Sequence, residues 1–213
     1  MSGEVYRWID ADGRVHYGDK PPPGAATRQV AVPAQAPAKP SPDVKVEESV
    51  IRPYDISGST LAELNAAAQR SGPVSKATGT RVWGVCAWRV TWNFSHAGRE
   101  GKCAVDKFTI TVGATIDLPR WTNRDAAPGS MKSGWDRFAA ALRRHEDGHK
   151  DIGVRAANDL ANRLRALPAE KTCAELDRKV VVLGDRVLSE YRLLDQAYDR
   201  STGNGATQGA TLK

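Results

Sequence analysis

The residues best suited to do chemistry lie in the pentapeptide His145-Glu146-Asp147-Gly148-His149, which reads H-E-x-x-H. On an α-helix, residues four positions apart lie on one face, so both imidazoles could bind one zinc ion. Glu146 lies beside them and could take a proton from a metal-bound water, as in zinc metalloproteases. The motif predicts a zinc-dependent hydrolase with two histidine ligands and a catalytic glutamate.

A long amphipathic helix, from about Gly134 to Leu167, is predicted to position these side chains. Because the stripe of this helix is apolar on both sides of the histidines, both imidazoles are expected to point toward the core. This argues against the alternative of two surface histidines on a charged helix turn. Glu146 is expected at the edge of the stripe, where a cleft could open. The stripe consists of Trp135, Phe138, Leu142, His145, His149, Ile152 and Ala156.

Composition limits the class of protein. The chain has 213 residues, of which 40% are hydrophobic and 26% charged, enough for one domain plus an appendage. No run of about 18 apolar residues is present, so no transmembrane segment is expected. The net charge of +6 suits an anionic partner such as a cell-wall polymer, but the charges are dispersed. No nucleic-acid motif is present, and no nucleic-acid partner is expected.

Three segments are predicted along the chain. Residues 4–28 form a small β-hairpin module around the turn Asp12-Gly13, and this module is expected to pack on the rest of the chain. Residues 29–50 form a linker rich in proline and alanine. Residues 51–213 form the main domain.

The main domain is predicted to be α+β, with an antiparallel β-hairpin or small sheet packed on long helices. Alternating apolar residues indicate the strands, and capping boxes mark the starts of two helices. The expected elements are a helix from Thr60 to about Arg70, strands at 82–94 and 103–116 joined by a loop from Ser95 to Lys102, the motif helix, a last helix from Thr172 to about Asp199, and a glycine-rich tail after Gly203.

Several segments of the main domain occur together in one known family. They are Ser57-Gly58-Ser59-Thr60-Leu61, Trp88-Arg89-Val90-Thr91-Trp92, Leu118-Pro119-Arg120-Trp121, Trp135 with Phe138, the H-E-x-x-H motif, Tyr198-Asp199-x-x-Thr202-x-Asn204-Gly205, and Gln208-Gly209-Ala210. Through them, residues 52 to about 210 resemble the predicted secreted zinc-dependent proteases (domain-of-unknown-function family 922). The resemblance implies a zinc-dependent protease.

The resemblance also implies a disulfide bond between Cys103 and Cys173. Cys86 would then be free, or would pair with Cys103 instead. One disulfide suits an oxidising compartment.

The sequence does not determine which residue is the third metal ligand. A catalytic zinc takes three protein ligands and a water. Arg155 stands where the metzincin pattern would supply a third histidine. The family pattern carries a histidine where this chain has Asn204, so that position is in question. The candidates are Glu190, Asp195 and Asp199 of the last helix, and the region around Asn204.

Tyr198 is a candidate to stabilise an oxyanion in the transition state, with packing as the alternative. The hairpin edge near the motif helix could align an extended peptide by strand addition.

The N-terminal segment contains the pattern Tyr6-x-Trp8-x-Asp10-x-x-Gly13-x-x-x-Tyr17-x-Asp19-x-Pro21-Pro22. In this pattern it resembles a second family, domain-of-unknown-function family 4124. This resemblance implies an envelope location. Met1-Ser2-Gly3-Glu4 lacks the apolar core of a signal peptide, so a removed signal peptide and a periplasmic or secreted protein are expected, with a cytosolic protein as the alternative.

The leading hypothesis is a zinc-dependent metallopeptidase of the bacterial envelope that acts on a peptide or protein substrate, which could be associated with the cell wall. The alternative is a non-catalytic periplasmic module with a degenerate site that binds a protein or a cell-wall polymer. Metal content distinguishes the two.

Overall fold

A computed structural model describes residues 5–30, 37–76 and 78–213, and these residues form an α+β fold, as predicted. Seven strands and three helices make up the described part of the chain, with two short 3-10 helices at Arg124–Ala126 and Ala206–Gln208. The strands are β1 (Val5–Ile9), β2 (Val15–Gly18), β3 (Thr27–Val30), β4 (Val44–Val46), β5 (Val50–Ile56), β6 (Val85–Arg99) and β7 (Lys102–Trp121), and the helices are α1 (Leu61–Ser71), α2 (Gly129–Arg165) and α3 (Cys173–Thr202).

The N-terminal strands form an antiparallel sheet in the order β2-β1-β3. The predicted hairpin of β1 and β2 is present. In its turn, Gly13 has φ +76°, and the carboxylate of Asp10 accepts backbone hydrogen bonds from Asp12 and Arg14. The third strand, β3, was not predicted. Val5 is fully buried and belongs to the same core cluster as Ile152, so this sheet packs on the rest of the protein as expected.

The main sheet is organised around β7. The antiparallel strand β6 lies along one edge of β7, and β4 and β5 lie parallel to β7 along the other edge. The predicted loop from Ser95 to Lys102 is wrong, because both strands continue to a two-residue turn. Glu100 and Gly101 adopt φ values of 51° and 74° there, which suit the twist of a tight hairpin.

Strand β4 lies inside the segment predicted to be a linker. It pairs with Ile110–Val112 of β7, and Val44 is buried against the core. Residues 31–36 of that segment lie outside the described residues. The division into module, linker and main domain stays a prediction.

The two long helices cover the sheet and carry the site. Helix α2 begins at Gly129 rather than at the expected Gly134, directly after Pro128, and runs to Arg165. Helix α3 begins with the predicted capping box of Thr172 and Glu175 and ends at Thr202. No helix in the described ranges is long and apolar enough to cross a membrane.

The disulfide bond between Cys103 and Cys173 is present and joins the start of β7 to the start of α3. Cys86 is a free thiol, so the alternative pairing of Cys86 with Cys103 is wrong.

Removing this bond is expected to lower the free energy of unfolding by about 4 kcal/mol, because it closes a loop of 70 residues. The measurement is urea unfolding of a Cys103→Ser, Cys173→Ser double variant. Cys86→Ser is the control, since it removes a thiol and no crosslink. Equal stabilities of the double variant and the control would contradict the expectation.

Candidate metal centre

The two histidines of the H-E-x-x-H motif lie one turn apart on α2 and point into the protein, as predicted. His145 is 2% exposed and His149 is 5% exposed. Their Nε2 atoms lie 3.3 Å apart. Both Nε2 atoms also face Oδ1 of Asp199 on α3, at 3.2 Å from His145 and 2.9 Å from His149. Three potential ligand atoms from two helices therefore converge on one point.

The spacing of these three atoms fits a metal ion. Zinc binds imidazole nitrogen and carboxylate oxygen at about 2.0–2.2 Å in a tetrahedron, whose corners are then about 3.3 Å apart. The observed separations of 2.9–3.3 Å match the edges of one face of such a tetrahedron. His145, His149 and Asp199 could therefore hold a metal ion. The fourth corner would remain for water or substrate.

The hydrogen bonds behind the histidines prepare them to bind a metal. Nδ1 of His145 lies 2.9 Å from Oε1 of Gln208, and Nδ1 of His149 lies 2.8 Å from Oδ1 of Asp195. Both oxygens are acceptors, so each Nδ1 carries a hydrogen, and Nε2 is the nitrogen of each ring that faces the position of the metal. The indole of Trp88 donates to the same Asp195 oxygen at 3.0 Å and holds that carboxylate in place.

The charge of Asp199 also suits a metal ligand. Burial raises the pKa of this carboxyl, but the hydrogen bonds from His145 and His149 lower it by more, so the pKa lies well below its usual range. The carboxylate is therefore ionised at neutral pH. For His149, burial lowers the pKa, and the adjacent carboxylates of Asp195 and Asp199 outweigh burial and raise it. The two carboxylates thus concentrate negative charge where a cation would sit.

The other candidates for the third ligand lie elsewhere. Glu190 forms an ion pair with Arg163 at 3.0 Å. Asp195 contacts His149 from the side opposite the point of convergence. Asn204 lies in the wall of the cleft in a left-handed conformation and donates its backbone N–H to the carbonyl of Asp199. Of the four candidates, Asp199 is the one that faces both Nε2 atoms.

Glu146 lines the cleft beside the two histidines. It is 2% exposed, and the backbone N–H of Cys86 donates to its carboxylate. Gly84 makes room for it, because a Cβ there would overlap the carboxylate. Burial raises the pKa of Glu146 to about 7, with the nearby histidines opposing the shift. A carboxyl with a pKa near neutrality can both accept and return a proton, which general acid–base catalysis requires.

These side chains open into a cleft of about 740 Å³. The start of β6 forms one wall and the second half of α3 forms another, and residues of the segment before β6 also line the cleft. The lining includes Lys76, Trp83, Val85, Trp88, Arg192, Gln196, Asn204 and Ala210. A cleft of this size can take several residues of a peptide.

Tyr198 lies behind His145 rather than in the cleft lining. It is 1% exposed, and its ring stacks on the imidazole of His145 with the ring centres 5.0 Å apart. Its hydroxyl donates to the carbonyl of His145 at 3.3 Å and accepts a hydrogen bond from Nε2 of Gln208 at 3.0 Å. Gly148 permits this approach, because a Cβ there would overlap the hydroxyl. Oxyanion stabilisation by Tyr198 stays a prediction. The contacts favour a different role for Tyr198, which is to hold His145 in place.

A second group of potential ligands consists of His96 with Cys103 and Cys173. Because the two sulfurs form a disulfide bond, they are not thiolates and cannot bind a metal as such. Within the described ranges, the site on α2 and α3 is therefore the one that suits a cation.

Sequence reasoning missed two residues that support the metal ligands. The alternation of apolar residues on its strand indicates a core position for Trp88, and no local signal shows that its indole reaches Asp195. Gln208 lies in the segment expected to be a glycine-rich tail. The signal in the sequence that points to Gln208 is the Gln208-Gly209-Ala210 segment, which is part of the family resemblance.

A family model described as "Bacterial protein of unknown function (DUF922)" matches residues 51–206. The chain belongs to the DUF922 family. The match covers β6, β7, all but the first residue of β5, all three helices and the three potential metal ligands, and strand β4 lies outside it. The family's description carries no activity, so the function of this DUF922 protein must be argued from its site.

The N-terminal region is similar to a second family, described as "Domain of unknown function (DUF4124)", over residues 1–45. Comparison with curated proteins and with solved structures gives no match.

Proposed function

We propose that this DUF922 protein is a zinc-dependent metallopeptidase of the bacterial envelope. The observation that carries the proposal is the convergence of Nε2 of His145, Nε2 of His149 and Oδ1 of Asp199, next to the buried carboxylate of Glu146 in an open cleft. Two nitrogens and one carboxylate oxygen are the ligand set of several zinc peptidases, and they leave one position open.

The chemistry follows from the positions of the chain's own residues. A zinc ion bound here would acidify a water molecule and polarise the carbonyl of the scissile bond. Glu146 takes a proton from the attacking water and later passes it to the leaving amine nitrogen. Its burial and its contact with the N–H of Cys86 hold the carboxylate beside the histidines. Asp195 and Gln208 keep the two imidazoles in the metal-binding tautomer.

A peptide substrate is favoured by the strand that forms one wall of the cleft. Within the described ranges, β6 pairs with β7 along one edge and has no strand partner along the other. Residues 85–88 of β6 line the cleft beside the potential metal ligands. An extended peptide could therefore add to β6 as a further strand, with its side chains alternating between the cleft and solvent. The substrate could be a free peptide or a protein associated with the cell wall.

An envelope location is supported by two observations. The disulfide bond between Cys103 and Cys173 is of a kind that persists in the periplasm and outside the cell. The chain also belongs to a family of bacterial proteins.

The alternative of a non-catalytic binding module depended on an incomplete ligand set. This chain has asparagine rather than histidine at position 204. Asp199, near the end of α3, provides the third potential ligand instead. The enzyme is therefore the function that the site supports better.

Zinc content is the test of the proposal. We expect the purified protein to retain one zinc ion per chain after dialysis, and a tight chelator to abolish peptide cleavage. At a free zinc concentration about 1,000 times Kd, binding should stabilise the fold by about 4 kcal/mol, which for a chain of this size raises Tm by roughly 8–16 °C.

The measurements are elemental analysis, differential scanning fluorimetry with and without zinc, and cleavage of a fluorogenic peptide library. A His145→Ala, His149→Ala double variant is the control and should show no zinc-dependent change in Tm. Absence of bound zinc in the wild-type protein at saturating zinc would overturn the proposal. Bound zinc without cleavage of any peptide would favour the binding module.

A further inference from the structure

The segment after α3 folds back onto the metal-binding helix. We call residues 203–210 the C-terminal turn. Gly203, Asn204 and Gly205 all have positive φ values, of 56°, 51° and 85°, and together they reverse the chain direction. The turn is closed by a hydrogen bond from the backbone N–H of Ala210 to the carbonyl of Gly205 at 3.0 Å. A segment that looks like a flexible tail in the sequence is thus an ordered part of the site.

The C-terminal turn contacts His145 in two ways. The Cα of Gly205 lies against the imidazole, and a Cβ at this position would come within 2.9 Å of Cγ of His145. The side chain of Gln208 reaches the same ring from its edge, with Oε1 2.9 Å from Nδ1. His145 is therefore enclosed between the turn and the stacked ring of Tyr198.

The Gln208 amide has a second partner in the hydroxyl of Tyr198. Its Nε2 donates to this hydroxyl at 3.0 Å, and its Oε1 lies 3.3 Å from the same hydroxyl and 2.9 Å from Nδ1 of His145. The hydroxyl of Tyr198 in turn donates to the carbonyl of His145. With Oε1 facing His145 as an acceptor, the hydrogen of this ring lies on Nδ1.

We propose that Gln208 is a positioning residue that holds His145 in the tautomer with a hydrogen on Nδ1, so that Nε2 can bind the metal. The inference rests on the proposed metal site and adds to it the C-terminal turn as the element that orients one ligand. His149 is oriented by the carboxylate of Asp195, whereas His145 is oriented by a neutral amide. Two carboxylates, Asp195 and Asp199, then balance the charge of one divalent ion.

The test compares the zinc affinity of three variants, measured by competition with a chromogenic chelator. Gln208→Met keeps the length of the side chain and removes the acceptor, and we expect zinc binding about 10- to 100-fold weaker. Gln208→Glu restores an acceptor for Nδ1, and its affinity should lie within about 3-fold of the wild type or be tighter. Gln196→Met is the matched control, because Gln196 lines the same cleft and should change affinity by less than about 2-fold.

Two further readouts separate positioning from general stability. The Tm of the metal-free variants shows whether Gln208→Met only weakens the fold. Long-range ¹H–¹⁵N spectra of metal-free protein at pH 8 report the tautomer, and we expect a hydrogen on Nδ1 of His145 in the wild type and loss of this preference in Gln208→Met.

Zinc affinity unchanged in Gln208→Met, or lost equally in Gln208→Met and Gln208→Glu, would overturn the inference. If the wild-type protein binds no zinc, the proposed function fails. A tautomer with the hydrogen on Nε2 in the wild type would then overturn the role of Gln208 as well, and a hydrogen on Nδ1 would support it.

Discussion

Replacing Glu146 by glutamine is expected to lower kcat/KM for peptide cleavage by about 10²- to 10⁴-fold while zinc stays bound. The amide has the shape of the carboxylate and can still accept the hydrogen bond from the N–H of Cys86, so the packing around it should be preserved. It cannot accept a proton from the attacking water. Steady-state kinetics with a fluorogenic peptide, together with elemental analysis of the same sample, measure the two effects separately.

The matched control for this variant is Asp147→Asn. Asp147 is the next residue in the motif, but its side chain is 45% exposed and pairs with Arg143. The same change from acid to amide at this position should alter kcat/KM by less than about 3-fold, since exposed ion pairs contribute little. Full activity of Glu146→Gln, or an equal loss in both variants, would show that Glu146 does not transfer the proton.

Replacing Asp199 by alanine is expected to weaken zinc binding by about 100- to 1,000-fold. A four-ligand zinc site is worth about 10–16 kcal/mol, or about 3 kcal/mol for each ligand, and every 1.4 kcal/mol changes Kd tenfold. Asp199 supplies the oxygen that lies 2.9 Å and 3.2 Å from the two Nε2 atoms. Isothermal titration with zinc measures Kd directly.

Asp195→Asn serves as the comparison for Asp199→Ala. The amide oxygen can still accept from Nδ1 of His149, which lies 2.8 Å from the carboxylate, so the imidazole should keep its orientation. We expect a loss in zinc affinity of about 10-fold, within the range for residues that orient ligands. A larger loss in Asp195→Asn than in Asp199→Ala would reverse the assignment of the third ligand.

The sequence predicts the parts of the fold that depend on local signals. The periodic stripe of α2 and the capping boxes at Thr60 and Thr172 identify helices, because each signal lies within a few residues of the feature it marks. The strand β4 carries no comparable signal. Val44–Val46 is three residues long and is stabilised by parallel pairing with Ile110–Val112, far away in the chain.

The site, like the fold, could be predicted only in part from the sequence. The motif alone places His145, Glu146 and His149, because the helix period sets their relative directions. It cannot choose between Asp195 and Asp199, which are themselves one turn apart on α3 and face the same way. The choice depends on the position of α3 along the axis of α2. The packing of the two helices sets this position.

Helix α3 is anchored at both of its ends by bonds that are not part of the hydrophobic core. Its first residue, Cys173, is joined covalently to β7, and Asp199, near its last residue, would share a metal ion with α2. About 40 Å of helix separates these two anchors. A reducing environment would break the disulfide bond at the first end of α3. A chelator would remove the metal ion at the other end. The disulfide bond and the metal site therefore constrain the two ends of one helix.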